Sequence, residues 1–283
     1  MDKFVLHNQQ IVEAQKAKVD ATLAGLLYGW GVFTTMKVID GRIFAFDRHL
    51  ERLIKHADKA RVSFAAHKKS LLENIASLIS ANQISNGRLR LTVLKSDAGI
   101  WRTEPKNEAE VLVFTASEPN QRSRELNLTN SPYRLLSTNP MVNIKRTAML
   151  EQLLALEEAR HRNFDDAVLL NERGEMISTT SGNIFWAQDT ELYTPSLATG
   201  CIAGITRALV IEVAKRINIH VSEGSYPITR LLDASEVFIT STTRGITQVK
   251  SFDIKIFDNR FAVVAKNINR QYEKLFSDAK LIS

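Results

Sequence analysis

The sequence predicts an α+β protein of two domains, not a purely parallel α/β fold. Three observations carry this reading. Short β-branched runs that end in turn residues recur in both halves, as in VFTTMKVI (32–39) before Asp40-Gly41 and EVFIT (236–240) before STTRG. Helical apolar stripes separate some of these runs without alternating strictly with them. The polar, turn-forming stretch SEPNQRSRE (117–125) interrupts the pattern near the middle of the chain. The boundaries that follow are a small N-terminal α+β domain over 1–118, an interdomain linker over 119–128 and a large C-terminal domain over 129–283.

Each element has its own justification. Asp40-Gly41 followed by RIFAF is a strong hairpin signal, because both residues tolerate the left-handed conformations of a two-residue turn. A helix follows near 47–62, where Leu50, Leu53, Ile54 and Ala57 fall at i, i+3, i+4 and i+7. A second helix covers about 67–81, and strands follow at 88–95 and 110–116. The second half starts with short strands, then a helix near 147–162, the strand AVLLN (167–171), a turn at Glu172-Arg173-Gly174 and a hairpin ending in NIFWA (183–187). A helix at 205–217, strands on either side of STTRG, and an amphipathic helix over about 260–276 complete the chain. Mixed sheets with hairpins and flanking helices are therefore expected.

Composition narrows the function. Of 283 residues, 44% are hydrophobic and 24% charged, which suits a packed globular core. The net charge of +6 is spread along the chain with no run of five like charges, so no nucleic-acid partner is expected. Such an excess suits an anionic small substrate or cofactor. The lone Cys201 can form no internal disulfide, and no thiolate cluster for a metal is present. The start lacks the apolar stretch of a signal peptide, and no segment approaches the roughly 18 apolar residues of a membrane span. A cytoplasmic location without membrane contact is the expectation.

Several residues have the chemistry to hold an anion. Gly204-Ile205-Thr206-Arg207 sits where a loop becomes a helix, so free N–H groups and the helix dipole would favour negative charge. Ser241-Thr242-Thr243-Arg244-Gly245 is a hydroxyl-rich turn at a strand end. Arg52 lies about 200° round its helix from Leu50, off the apolar stripe. Lys145, in NIKRT beside Val142 and Ile144 and at a helix entrance, would lose its proton more easily if desolvated, and a neutral amine is what a Schiff base needs. Taken singly, these are also what an ordinary capped helix, a plain turn, a surface arginine and a solvated lysine look like.

Taken in order, the pieces YGWGVFTTMKVIDGRIFAFDRHLERL (28–53), NIKRTAMLEQ (143–152), DDAVLLNERGEMISTTSGNIFW (165–186), YTPSLATGCIAGITR (193–207) and EVFITSTTRGITQV (236–249) resemble the fold-type IV enzymes that use pyridoxal 5′-phosphate (PLP). These are branched-chain aminotransferases, D-amino-acid aminotransferases and aminodeoxychorismate lyases. The resemblance spans about residues 20–255. It implies a two-domain D-amino-acid aminotransferase-like fold, a homodimer, an active site in the domain cleft and PLP bound by the C-terminal domain. By position it implies Lys145 as the Schiff-base lysine. Arg52, Ile205, Thr206 and Thr242 would bind the cofactor phosphate, and Asn183 is the family asparagine. At Ser178 the family carries a glutamate that pairs with the pyridine nitrogen. A serine there implies a weaker store for the carbanion, which an elimination tolerates better than a transamination.

Phe33-Thr34-Thr35 and Leu150-Glu151-Gln152 resemble the lyase group, and the tyrosine that branched-chain enzymes carry after the lysine is absent. The implied reaction releases pyruvate from 4-amino-4-deoxychorismate and leaves 4-aminobenzoate for folate synthesis. Lys145 would move the proton, with Thr34 or a water assisting. The substrate is a carboxylated amine, so a cation is needed. Arg102 is the candidate, with Arg90 and Arg88 as rivals, and Tyr28 and Trp30 could line the pocket. His49 reads as a packing or capping residue at a helix start. The alternatives are a class IV aminotransferase acting on branched-chain or D-amino acids, and a PLP-fold protein weakened at Ser178. No metal is expected.

Overall fold

A computed structural model describes residues 2–65, 67–97, 109–117 and 124–282. They form two compact units. One comprises Met1–Gln121, Ile144–Ala148 and Phe276–Ser283, and the other Arg122–Asn143 and Met149–Leu275. The boundary region expected at 119–128 lies partly outside the described residues, and a strand already begins at Leu126.

The first unit contains β1 (Phe4–His7), β2 (Gln10–Glu13), α1 (Ala24–Leu27), β3 (Gly31–Ile39), β4 (Arg42–Ile43), α2 (Phe46–Lys59), α3 (Lys68–Ala81), β5 (Gly87–Leu94) and β6 (Glu110–Ser117). Its six strands form one antiparallel sheet in the order β2-β1-β6-β5-β3-β4. The β3–β4 turn is Asp40-Gly41, with φ of 50° and 72°, the double left-handed geometry that matches strand twist. Helix α2 buries Phe46, His49, Leu50, Leu53 and Ala57 and packs on β3. Ile54, expected on that stripe, is 39% exposed. The buried face is rotated toward position 49, so a histidine enters the core.

The second unit contains β7 (Leu126–Leu135), α4 (Leu150–His161), β8 (Asp166–Asn171), β9 (Met176–Thr179), β10 (Asn183–Gln188), β11 (Glu191–Pro195), α5 (Ile205–Arg216), β12 (Val221–Gly224), β13 (Glu236–Ser241), β14 (Gly245–Phe252), β15 (Lys255–Ile256) and α6 (Val263–Lys274). The sheet runs β12-β11-β10-β13-β14-β7-β8-β9, with β15 on β14. It is mixed. The pairs β7–β8, β11–β12 and β7–β14 are parallel, the first two because α4 and α5 serve as crossovers. The remaining pairs are antiparallel hairpins or neighbours, so the α+β expectation holds.

Strand periodicity divides this sheet into two faces. Ile184, Trp186, Val237 and Ile239 join Leu128, Val168, Met176 and Phe252 in one buried cluster. Phe185 and Phe238 point to the opposite face, where their rings stack with centroids 5.2 Å apart. Helices α5 and α6 pack on each other and on β13. Buried Glu236 ties α6 to this strand, since its carboxylate accepts the N–H groups of Val264 (3.0 Å) and Ala265 (2.8 Å) at the helix start.

Ile239 is 1% exposed inside the cluster. Ile239→Ala is expected to cost about 2–5 kcal/mol, since the packed cluster collapses only partly into the void. A denaturant titration of the variant against the parent checks this.

Candidate active site

Lys145 lies in an extended segment, not at a helix entrance. Helix α4 starts only at Leu150. The helix expected near 147–162 begins three residues later because Lys145 and Thr147 pair with β3. The Phe33 N–H donates to the Lys145 carbonyl at 2.9 Å, and the Thr147 N–H donates to the Gly31 carbonyl at 2.9 Å. The Thr147 hydroxyl donates to the Gly29 carbonyl at 2.7 Å. This approach needs glycine at position 31. A Cβ there would stand 2.6 Å from Leu94 Cδ2, 2.8 Å from the Val93 carbonyl and 3.1 Å from Thr147 Oγ1. The Lys145 N–H, on the other side of the chain, donates to His56 Nδ1 at 3.1 Å.

The Lys145 side chain is crowded by protein and by like charge. Nζ stands 4.3 Å from the centroid of the Phe33 ring, and Arg90 Cζ stands 3.6 Å from the same centroid. Burial, with Arg52 and Arg90 adding repulsion, pushes the Lys145 amine down to about 7. Arg52 is itself lowered to about 10 by burial, and Arg90 is lowered for the same reason. Near neutral pH a substantial fraction of the Lys145 amine is therefore unprotonated, the form that attacks a carbonyl carbon.

Three polar residues of α2, namely His49, Arg52 and His56, fall at i, i+3 and i+7 and face this group. Thr34 on β3 has no exposed surface. Its Oγ1 accepts from Arg52 Nη2 at 3.1 Å and lies 2.7 Å from His49 Nδ1. With the Thr34 hydroxyl donating to Nδ1, a single chain of donors runs from Arg52 through Thr34 to a neutral His49. Burial, then Arg52 and Lys145, holds the His49 imidazole well below its ordinary range. Burial, then Arg52, Lys145 and Lys59, lowers His56 to about 4. Arg52 is therefore not a surface arginine, and His49 is more than a packing residue. His56 was missed by sequence reading. The available signal was a polar stripe at helical spacing beside the apolar one.

In the second unit, register puts Ser178, Asn183 and Thr240 on one face of the sheet, opposite the Ile184–Trp186 cluster. Asn183 Nδ2 donates to the Ile202 carbonyl at 2.9 Å, and its Oδ1 abuts the Cα of Gly204, leaving no room for a Cβ. Asn183 thereby pins the turn that leads into α5. That helix begins at Ile205 after Gly204 with no side-chain cap, so its first N–H groups lie outside the helical ladder. Thr206 shares a hydrogen bond with Tyr272, whose hydroxyl burial pushes up to about 12. Thr242 is half-buried in the β13–β14 turn, where the Arg244 N–H donates to Ser241 Oγ at 3.3 Å. The Ser178 hydroxyl donates to the Thr179 carbonyl at 2.9 Å.

The other expected residues are dispersed. Arg102 lies outside the described residues. Arg90 joins Lys145 through Phe33, whereas the neighbouring Arg88 is exposed. Tyr28 is 42% exposed at the end of α1. Trp30 donates its Nε1–H to the Ala60 carbonyl at 2.7 Å, and Lys95 Nζ stands 4.8 Å from its ring centroid. Cys201 is buried, and burial raises its thiol, which makes it inert. Among the described residues no helix is long and apolar enough to cross a membrane, and no group of three or more His, Cys, Asp or Glu is arranged to hold a metal.

In the first unit, the lowered Lys145 amine and the neighbouring Arg52 guanidinium fit an aldehyde group and an anion. In the second unit, taken by itself, the uncapped start of α5 suits a phosphate. Lys145 is expected to be modified by an amine-directed reagent with a midpoint near pH 7, whereas surface lysines react near 10.5. Peptide mapping across pH measures it, and a midpoint near 10 would contradict the buried geometry.

Comparison with known proteins identifies the family. The family model for amino-transferase class IV matches residues 31–252. A D-alanine aminotransferase of Listeria monocytogenes is 29% identical over 283 residues, covering 95% of this chain and 94% of the relative. An aminodeoxychorismate lyase of Bacillus subtilis is 28% identical over 245 residues, covering 84% and 83%. A branched-chain amino acid aminotransferase from T.th., solved with pyridoxamine 5′-phosphate, superposes with a TM-score of 0.91 at 23% identity, covering 100% of this chain and 98% of the other. With its lysine docked on β3 and its family pattern matched over most of its length, the chain belongs to the class IV aminotransferase family.

Proposed function

We propose that this chain is a pyridoxal 5′-phosphate enzyme that acts as a 4-amino-4-deoxychorismate lyase, releasing pyruvate and leaving 4-aminobenzoate. The observation that carries the enzyme reading is the Lys145 amine, lowered to about 7 beside Arg52 and Arg90. The lyase reading draws on Phe33-Thr34-Thr35 and Leu150-Glu151-Gln152, which resemble the lyase group, and on the neutral Ser178, which an elimination tolerates better than a transamination. The Bacillus subtilis relative bears the lyase name.

Arg52, the first N–H groups of α5 at Ile205 and Thr206, and the hydroxyls of Thr206 and Thr242 would hold the phosphate, with Asn183 pinning the turn before α5. When bound, the cofactor supplies an electron sink for the carbon that bears the substrate amine. Lys145, partly unprotonated near pH 7, takes the proton from that carbon. The enolpyruvyl group then departs with its bonding electrons and gains a proton to become pyruvate. Arg90, and Arg102 as its rival, would face the substrate carboxylate. Thr34 serves here by orienting Arg52 and His49, both bonded to its hydroxyl. Ser178, a neutral hydroxyl, would leave the pyridine nitrogen unprotonated and limit carbanion storage.

A second reading, an aminotransferase acting on D- or branched-chain amino acids, draws on the D-alanine and branched-chain relatives. A third is a catalyst weakened at Ser178. A homodimer goes with the exposed Leu150, Leu153 and Leu154 on one side of α4, and light scattering measures its mass. A cytoplasmic setting goes with the single buried cysteine.

Borohydride reduction of the cofactor-loaded chain is expected to trap an adduct on Lys145, and Lys145→Ala to lose activity by at least about a thousandfold. Arg52→Ala is expected to weaken cofactor binding roughly 10- to 100-fold, the cost of one charge-assisted contact. Pyruvate released from aminodeoxychorismate without a keto-acid acceptor supports the lyase. Conversion of D-alanine or leucine only with an acceptor supports the aminotransferase, and trapping without either reaction supports the weakened catalyst. Failure of the wild type to form any adduct on Lys145 would sink both enzyme readings.

A further inference from the structure

His56 has no part in the chemistry above, yet it joins α2 directly to the Lys145 main chain. Its Nδ1 accepts the Lys145 N–H at 3.1 Å, while the Phe33 N–H holds the Lys145 carbonyl at 2.9 Å from β3. The peptide groups on both sides of the Lys145 Cα are thus anchored to two different elements. Such anchoring fixes the backbone dihedrals of one residue, and with them the direction in which its side chain leaves the chain.

The contact requires an unprotonated Nδ1, so the imidazole proton must sit on Nε2. The charged groups facing His56 are Arg52 and Lys59 from α2 and Lys145 from the extended segment, all cationic, and all oppose a further positive charge there. The acceptor is therefore available throughout the neutral range. His56 also stands one helical turn beyond Arg52 and two beyond His49, so one face of α2 carries both the buried guanidinium and the anchor of the lysine segment.

We propose that His56 is a positioning residue for Lys145: its Nδ1 holds the Lys145 amide, and together with the Phe33 amide it sets the peptide from which the amine is presented to a carbonyl partner. The inference rests on the reading of Lys145 as the cofactor lysine and deepens it. His56 touches no reacting atom. It acts by removing freedom from the residue that does, and misplacing a reacting group by about 1 Å can cost on the order of a hundredfold in rate.

Two variants test it. His56→Asn keeps an acceptor, Oδ1, where Nδ1 stood. His56→Leu keeps bulk and removes the acceptor. Hydrogen exchange of the full chain, read on peptides that resolve the Lys145 amide, is expected to be slow in the wild type and His56→Asn. In His56→Leu it should be at least about tenfold faster. Pyridoxal 5′-phosphate added to the full-length chain stripped of cofactor, followed by visible absorbance and borohydride mapping, is expected to load Lys145 about ten- to a hundredfold more slowly in His56→Leu, with His56→Asn within about threefold of the wild type. Equal exchange and equal loading in all three proteins would overturn the proposal. So would equal loss in both variants, which would mean that imidazole packing, not its acceptor, matters. A wild type whose Lys145 amide is protected but whose amine is never trapped would remove the cofactor reading and leave the anchor standing. Trapping with no difference in amide exchange would do the reverse.

Discussion

The docking of Ile144–Ala148 along the first residues of β3 is the constraint on which the site depends. It places the Lys145 peptide beside Phe33 with a 2.9 Å bond and brings Thr147 against Gly29 and Gly31. Because side chains at position 31 would collide with Leu94 and Val93, the close approach is possible only with a bare Cα. Once the segment is laid down, the lysine side chain emerges against the Phe33 ring, with Nζ 4.3 Å from its centroid.

The electrostatics follow from that placement. Lys145, Arg52 and Arg90 are confined together, and each is shifted toward its neutral form chiefly by burial. The two histidines of α2 meet the same field and stay neutral, so they serve as hydrogen-bond partners rather than charges. Thr34 links His49 to Arg52, and His56 holds the lysine amide. A group of cations at close quarters favours an anionic occupant, and burial, with their mutual repulsion added, makes the lysine a usable nucleophile and base.

The second unit solves a different problem, that of exposing the start of a helix without a cap. Asn183 reaches from β10 to the Ile202 carbonyl and presses on Gly204, so the chain enters α5 at a defined angle. Glu236 does the opposite for α6, whose first N–H groups it satisfies with a buried carboxylate. Of two helices packed on one another, one has its N-terminus closed by a side chain and the other does not. That asymmetry is what makes the α5 start suited to an anion.

Much of this protein was determined by local sequence. The Asp40-Gly41 hairpin, the strands 31–39, 87–94 and 236–241, and the helices 68–81 and 205–216 follow from periodicity and turn chemistry, which act over a few residues. The lysine in NIKRT and the Gly204 turn were legible because their motifs are contiguous. Tertiary structure alone decided the rest. The β1–β2 hairpin escaped notice because Phe4–Glu13 carries no strong turn signal, and its pairing depends on β6. The helix expected near 147–162 forms as Leu150–His161, its start delayed because β3 offers Lys145 and Thr147 hydrogen-bond partners. From its helical position alone Arg52 looked like a surface arginine and His49 like a packing or capping residue, and His56 drew no notice, since a helical pattern tells which residues share a face but not what that face meets. Only the packing of α2 on β3 turned that polar stripe inward, where burial changes the charge each side chain can hold.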